Sequence, residues 1–76
     1  MRDPRVDPRP GDWLSNGRFD VVIDGSYSEH RTGAPEGVLI RTFRVNEDRA
    51  LSLTRVPLDV FRRDALKATV IAMGLP

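Results

Sequence analysis

The chain has 76 residues with 12 basic and 11 acidic side chains, a formal net charge of +1, no cysteine and one histidine. A domain of this length buries only about 60% of its unfolded surface, so one thin core is expected. Disulfides, thiolate metal sites and a multi-histidine centre within one chain are excluded, as is a global electrostatic pull toward nucleic acid or anionic lipid.

Hydrophobic residues make up 39% and charged residues 30%, the balance of a globular chain. No apolar run approaches the ~20 residues of a membrane helix, and residues 1–10 have no apolar stretch of signal-peptide type. A cytoplasmic location without membrane attachment is therefore expected. Three of the six prolines fall in the first ten residues, at Pro4, Pro8 and Pro10. Proline fixes its own φ and disfavours helix at the residue before it. Residues 1–10 are expected to form an extended Pro/Arg arm, with residues 11–76 as a single β-rich domain.

Asn16-Gly17 is the favoured pair for a type I′ hairpin turn. Trp13 and Leu14 precede it, with Trp13 expected in the core beside Phe19. After it, Phe19, Val21 and Ile23 alternate with more polar residues, which predicts a strand with one buried face. Residues 25–37, with three glycines and one proline, read as a long loop holding Tyr27 and His30. Residues 38–45 read as a strand with Leu39, Phe43 and Val45 on one face, interrupted by Arg41. Val38, Ile40, Thr42 and Arg44 take the other. Asn46-Glu47-Asp48-Arg49 is a polar turn, and residues 50–56 are the returning strand, ended by Pro57. Leu58, Phe61, Ala65, Leu66 and Ala68 fit a helical stripe, whereas Thr69-Val70-Ile71 is β-branched. The favoured reading is a short helix at 58–67 followed by a closing strand at 68–73; one continuous helix over 58–73 is the alternative. The fold class is mainly β: a small SH3-like five-stranded barrel with one short C-terminal helix. The alternative is α+β, an antiparallel sheet packed by a C-terminal helix.

The run Asp3-Pro4-Arg5-Val6-Asp7-Pro8-Arg9-Pro10-Gly11-Asp12 resembles the opening of many small uncharacterised phage and bacterial proteins. In these a Pro-Arg-Pro-Gly-Asp segment leads into a first β-hairpin. Leu58-Asp59-Val60-Phe61-Arg62-Arg63-Asp64-Ala65 is similar to their short C-terminal helix, although Asp64 stands where a tryptophan often follows the paired arginines. The resemblance covers both ends and the strand–turn pattern, but not residues 25–37. It implies an SH3-like build of mobile-element type and no activity. Pro35-Glu36-Gly37-Val38 is similar to a segment of the small plasmid-encoded dihydrofolate reductases, which are tetrameric SH3-like barrels. The cofactor strand of that family reads Val-Gln-Ile-Tyr; Leu51-Ser52-Leu53-Thr54 stands here, so the enzyme's chemistry is not implied.

Catalytic signals are few. Ser26, Ser28, Glu29 and His30 supply residue types for nucleophilic catalysis but no nucleophile elbow or oxyanion nest. No Gly-Lys-Ser/Thr phosphate loop is present. No enzyme activity, cofactor or metal is expected. Tyr27, Glu29, His30, Arg31 and Glu36 are the candidate partner-binding residues, for a host protein complex or a second copy. The apolar residues 70–76 are a candidate strand for pairing across a dimer. One concrete form of the function is an inhibitor of a host defence complex, of anti-CRISPR type, using acidic residues such as Asp20, Asp24, Glu47 and Asp48. The alternative partner is nucleic acid. Lys67 is the only lysine among the 12 basic residues, and arginine offers a planar fork for phosphate. Arg41, Arg44, Arg55, Arg62 and Arg63 would form that face.

Overall fold

The computed structural model describes residues 2–28 and 36–74. The elements are β1 (Trp13–Ser15), β2 (Phe19–Tyr27), β3 (Gly37–Arg44), β4 (Ala50–Pro57), α1 (Leu58–Ala65) and β5 (Thr69–Ala72). All neighbouring strands are antiparallel, in one sheet of order β4-β3-β2-β1-β5. Among the described residues the protein is therefore mainly β with one short helix. β4 and β5 are the two edges, and the sheet is not closed between them.

Alternation along β2 and β3 builds the inner face. Val21 lies opposite Thr42 and Ile23 opposite Ile40, while Val38 lies opposite Val56. Leu14, Ile23 and Val38 are buried there against Phe61 and Ala65 of α1, with Ile40, Val56, Leu58 and Val70 packed around them. The other face of β3 carries Leu39, Arg41 and Phe43. Arg41 does not interrupt a buried face, because that face points to solvent.

Several sequence expectations need correcting, beginning with the first hairpin and the loop after it. The β1–β2 hairpin forms, but not through a type I′ turn. Ser15 pairs with Asp20, and of the turn residues only Gly17 has positive φ, at 92°. The Asn16 Oδ1 accepts the N–H groups of Arg18 (2.9 Å) and Phe19 (2.8 Å). That local side-chain bonding gives the chain another way to turn. The loop expected at 25–37 is also shorter. β2 continues through Gly25, Ser26 and Tyr27, which pair with Leu39, Val38 and Gly37 after a register shift between Ile23 and Gly25. A bulge beside a glycine hides the alternation from sequence. The Tyr27 ring lies over Gly37, where a Cβ would come within 2.4 Å of it. Residues 29–35 lie outside the described residues.

The helix and closing strand form as favoured, with trimmed ends. Pro57, at φ −56° and ψ 146°, turns the end of β4 into α1 with no side-chain cap. The Leu58 N–H finds the Glu36 carbonyl instead (2.9 Å). Asp59 in the first turn and Arg62 and Arg63 in the last suit the helix dipole. The Ala68 N–H donates to the Ala65 carbonyl (3.0 Å), and the β-branched run then takes the chain along β1 as β5.

The proline-rich arm is not extended throughout. The Asp3 carbonyl accepts the N–H groups of Val6 (3.0 Å) and Asp7 (2.8 Å), and Pro4, at a position where proline suits a turn, is buried. The Asp3 carboxylate accepts the Arg5 N–H (3.0 Å) and Nε (3.1 Å), and these bonds hold its pKa below the usual carboxylate value. Arg62 of α1 donates from Nε to the Val6 carbonyl (2.8 Å).

Asp12 fastens the arm and the C-terminal segment to the sheet. It is wholly buried, at 0% exposure. Its carboxylate takes a two-pronged bond from the Arg2 guanidinium and the N–H groups of Arg9 and Gly74, both at 2.8 Å. Burial alone would raise its pKa. The bonds from Arg2, Gly74 and Arg9 outweigh that, and the pKa lies below the ordinary value. Gly74 is held so close that a Cβ would sit 2.1 Å from the Pro10 carbonyl oxygen and 2.6 Å from Gly11 Cα. These are backbone atoms that cannot move cheaply. Gly74→Ala is expected to lift the segment off Asp12 and cost about 1–3 kcal/mol, read as a lower urea midpoint. Gly17→Ala has open space around it and should lose only about 1–2 kcal/mol, from its left-handed φ.

Candidate protein-binding face

The outer face of the sheet is the least expected feature. Cross-strand pairing aligns Ala72, Trp13, Val22, Arg41 and Leu53 in one row over all five strands. Trp13 is 40% exposed, Leu53 65% and Ile71 54%, with Leu51 and Met73 also exposed. Trp13 is thus on the solvent side, not in the core beside Phe19 as expected. Its neighbour Leu14 faces inward, and the period of two sends the indole the other way.

Two arginines rise from this apolar surface, each fixed by a neighbour. Arg41 donates from Nε to Asp24 Oδ1 (2.7 Å), and its guanidinium lies 6.0 Å from the Phe43 ring centroid. The Arg55 guanidinium lies 5.4 Å from the Tyr27 ring centroid. Such contacts are worth about 0.5–1 kcal/mol at exposed sites. Their larger effect is to hold long side chains in place before a partner arrives.

Of the candidate partner-binding residues, Tyr27 and Glu36 meet where β2 and β3 run toward residues 29–35. The Glu36 N–H donates to the Tyr27 carbonyl (2.9 Å). Tyr27 is a strand residue, not a loop contact. Glu29, His30 and Arg31 lie outside the described residues.

The five arginines of the nucleic-acid alternative are not brought onto one face. Arg41 and Arg55 belong to the outer face. Arg44 ends β3 opposite Phe19. Arg62 and Arg63 belong to α1, which packs on the inner face; Arg62 bonds Val6 and Arg63 bonds Asp64 (3.2 Å).

Leu51 and Leu53 were not singled out from the sequence. The signal was present: in Leu-Ser-Leu-Thr-Arg the leucines share a face with Arg55, as Leu39 and Phe43 do with Arg41. A charged residue inside an alternating strand marks the side that faces water.

Between the inner face and α1 lies a cleft of about 200 Å³, lined by Leu14, Phe19, Val21, Ile40, Val56 and Phe61, with Asn16 and Asp64 also on its wall. Among the described residues no three histidine or acidic side chains gather as a metal set, and no helix is long and apolar enough to cross a membrane. No protein-family model, curated protein or solved structure matches the chain.

Proposed function

We propose that this protein is a non-enzymatic binding module that docks another protein on the outer face of its sheet. The observation that carries this reading is the row Trp13–Val22–Arg41–Leu53, apolar side chains around a fixed arginine on an open sheet surface. Tryptophan and arginine are the types that dominate interface energetics, and contiguous apolar surface of this kind marks interaction sites. The cleft beneath α1 is mostly apolar, with one carboxylate, Asp64, on its wall and bonded to Arg63; a second pocket, beside the arm, is lined by Asp7, Arg9 and Arg62.

The finer architecture in this reading is an SH3-like barrel left open between β4 and β5, supported by the strand order and by a helix joining the two edge strands. The narrower biological role is inhibition of a host defence complex in the cytoplasm by a mobile-element protein. It is supported by small size and by the resemblance at the two chain ends.

The test is capture from a bacterial lysate, with and without nuclease, comparing wild type with Trp13→Ser. A nuclease-resistant partner is expected, bound at least tenfold more weakly by Trp13→Ser at unchanged circular dichroism. Arg62→Ala with Arg63→Ala should bind as wild type does. Recovery that vanishes with nuclease, or that depends on Arg62 and Arg63, would overturn the reading in favour of nucleic acid.

A further inference from the structure

We infer that the edge strand β4 pairs antiparallel with β4 of a second copy, about a two-fold axis at Leu53. This goes beyond docking on the outer face, because it uses the sheet edge and names its occupant.

The ladder shows which backbone groups are free to do so. The Leu58 N–H donates to the Glu36 carbonyl (2.9 Å), which makes residues 36 and 58 a hydrogen-bonded pair. In an antiparallel ladder such pairs recur every second residue. Val38–Val56, Ile40–Thr54 and Thr42–Ser52 are then also hydrogen-bonded pairs. Ser52, Thr54 and Val56 accordingly turn their N–H and C=O groups to β3, and Leu53 and Arg55 turn theirs outward; Leu51 is the extra residue of the register shift, and its C=O, across the peptide from the inward Ser52 N–H, also points outward. Pro57 falls in the outward set, where a missing N–H costs the sheet nothing.

This edge is long and undefended. Residues 50–55 are all exposed, and β4 has eight residues against four in β5. Beyond β5 the chain turns back to Asp12 through the Gly74 N–H. Exposed edges are usually blunted by charge, proline or a bulge. In β4 those devices sit at its ends: Arg55 and Pro57 at one, and a register shift opposite Thr42 and Phe43 at the other. Residues 52–54 have none.

Self-pairing fits the sequence of the edge. A two-fold interface must be self-complementary, and Leu53 is flanked symmetrically by the hydroxyl residues Ser52 and Thr54. The axis sets Leu53 against its own copy and Ser52 against Thr54. It also sets Leu51 against Arg55, whose aliphatic stem can cover a leucine. Arg49 comes opposite Pro57, near the acidic first helical turn at Asp59. About four backbone hydrogen bonds form. A contact made by one pair of edge strands should give a dimer of roughly micromolar affinity. The two sheets would join into one, with two copies of the Trp13 row on a continuous face.

Sedimentation equilibrium from about 1 μM to about 1 mM tests this. Wild type is expected to rise with concentration toward twice the 8.5 kDa chain mass. Amide exchange at Leu53 and Arg55 should slow in parallel. Leu53→Pro removes only an outward donor and should stay folded and monomeric throughout. Leu53→Lys sets two cations together on the axis and should weaken association at least tenfold, and it decides the matter if the proline variant fails to fold. A wild type that keeps the single-chain mass at every concentration overturns the proposal. So does a dimer that persists in Leu53→Lys, or one that leaves the Leu53 and Arg55 amides exchanging freely.

Discussion

Asp12→Ala is expected to cost about 3–5 kcal/mol, the loss typical of breaking a buried ion pair from one side. For a chain of this length total stability is roughly 4–11 kcal/mol, so the variant should be largely unfolded well below the wild-type melting temperature. The size of the effect follows from what one carboxylate holds. Removing it leaves the nearly buried Arg2 guanidinium without its counter-charge and frees the Arg9 and Gly74 N–H groups. Both the arm and the C-terminal segment lose their anchor in one change. Asp12→Asn keeps the shape and one acceptor oxygen, and should cost somewhat less.

The same group sets the response to acid. The folded pKa of Asp12 lies below its ordinary value, so the folded state holds the carboxylate ionised where the unfolded chain would protonate it. That contribution is complete above the unfolded value of about 4 and is lost as pH falls through the folded value. Asp3 has the same sign through its bonds from Arg5. Urea midpoints from neutral pH into acid should therefore fall steeply below about pH 4 in wild type. In Asp12→Asn the fall should be shallower, with Asp3 remaining. Equal acid slopes in the two proteins would show that Asp12 is not the group responsible.

The strands, turns and helix were legible where local chemistry and burial agree. Val21 and Ile23 alternate because one side of β2 is buried, and the β-branched run after Lys67 forms β5 because β1 leaves an edge to pair with. The failures have physical causes too. Asn16-Gly17 marks a turn, but the Asn16 side chain selects another geometry from the one its dipeptide favours. Gly25 and Ser26 have weak strand preference, and only pairing with β3, across a bulge, makes them strand. Asp12 stands between the proline-rich arm and the first hairpin, with nothing in its neighbours to mark it as buried. Its burial comes from contacts 10 and 62 residues away in sequence, which no local pattern records. The inner face of a thin sheet can be found by periodicity, but which of two mixed faces is inner cannot. Leu39 and Phe43 share one face of β3 with Arg41, and the arginine is the residue that tells which side faces water.

Phe61→Ala should cost about 3–5 kcal/mol, the largest loss available from the core. Phe61 is one of two α1 side chains in a buried set that otherwise holds Leu14, Ile23, Val38 and Ala65. A core this small cannot redistribute the lost contacts. Two effects then compete. A sealed cavity would push the cost to the top of the range, because the lining atoms lose partners outright. Phe61, however, already borders the open cleft beside Phe19 and Val56, and α1 can settle toward the sheet or water can enter. The lower half of the range is therefore favoured, accompanied by a wider cleft. Leu66, one residue past α1 and highly exposed, supplies the control: Leu66→Ala should lie within about 0.5 kcal/mol of wild type. Chemical denaturation separates these outcomes. Near-neutral Phe61→Ala would mean that α1 is not what covers the inner face. A loss beyond about 5 kcal/mol would mean that the helix, the arm bonded to it through Arg62, and the sheet unfold as one unit.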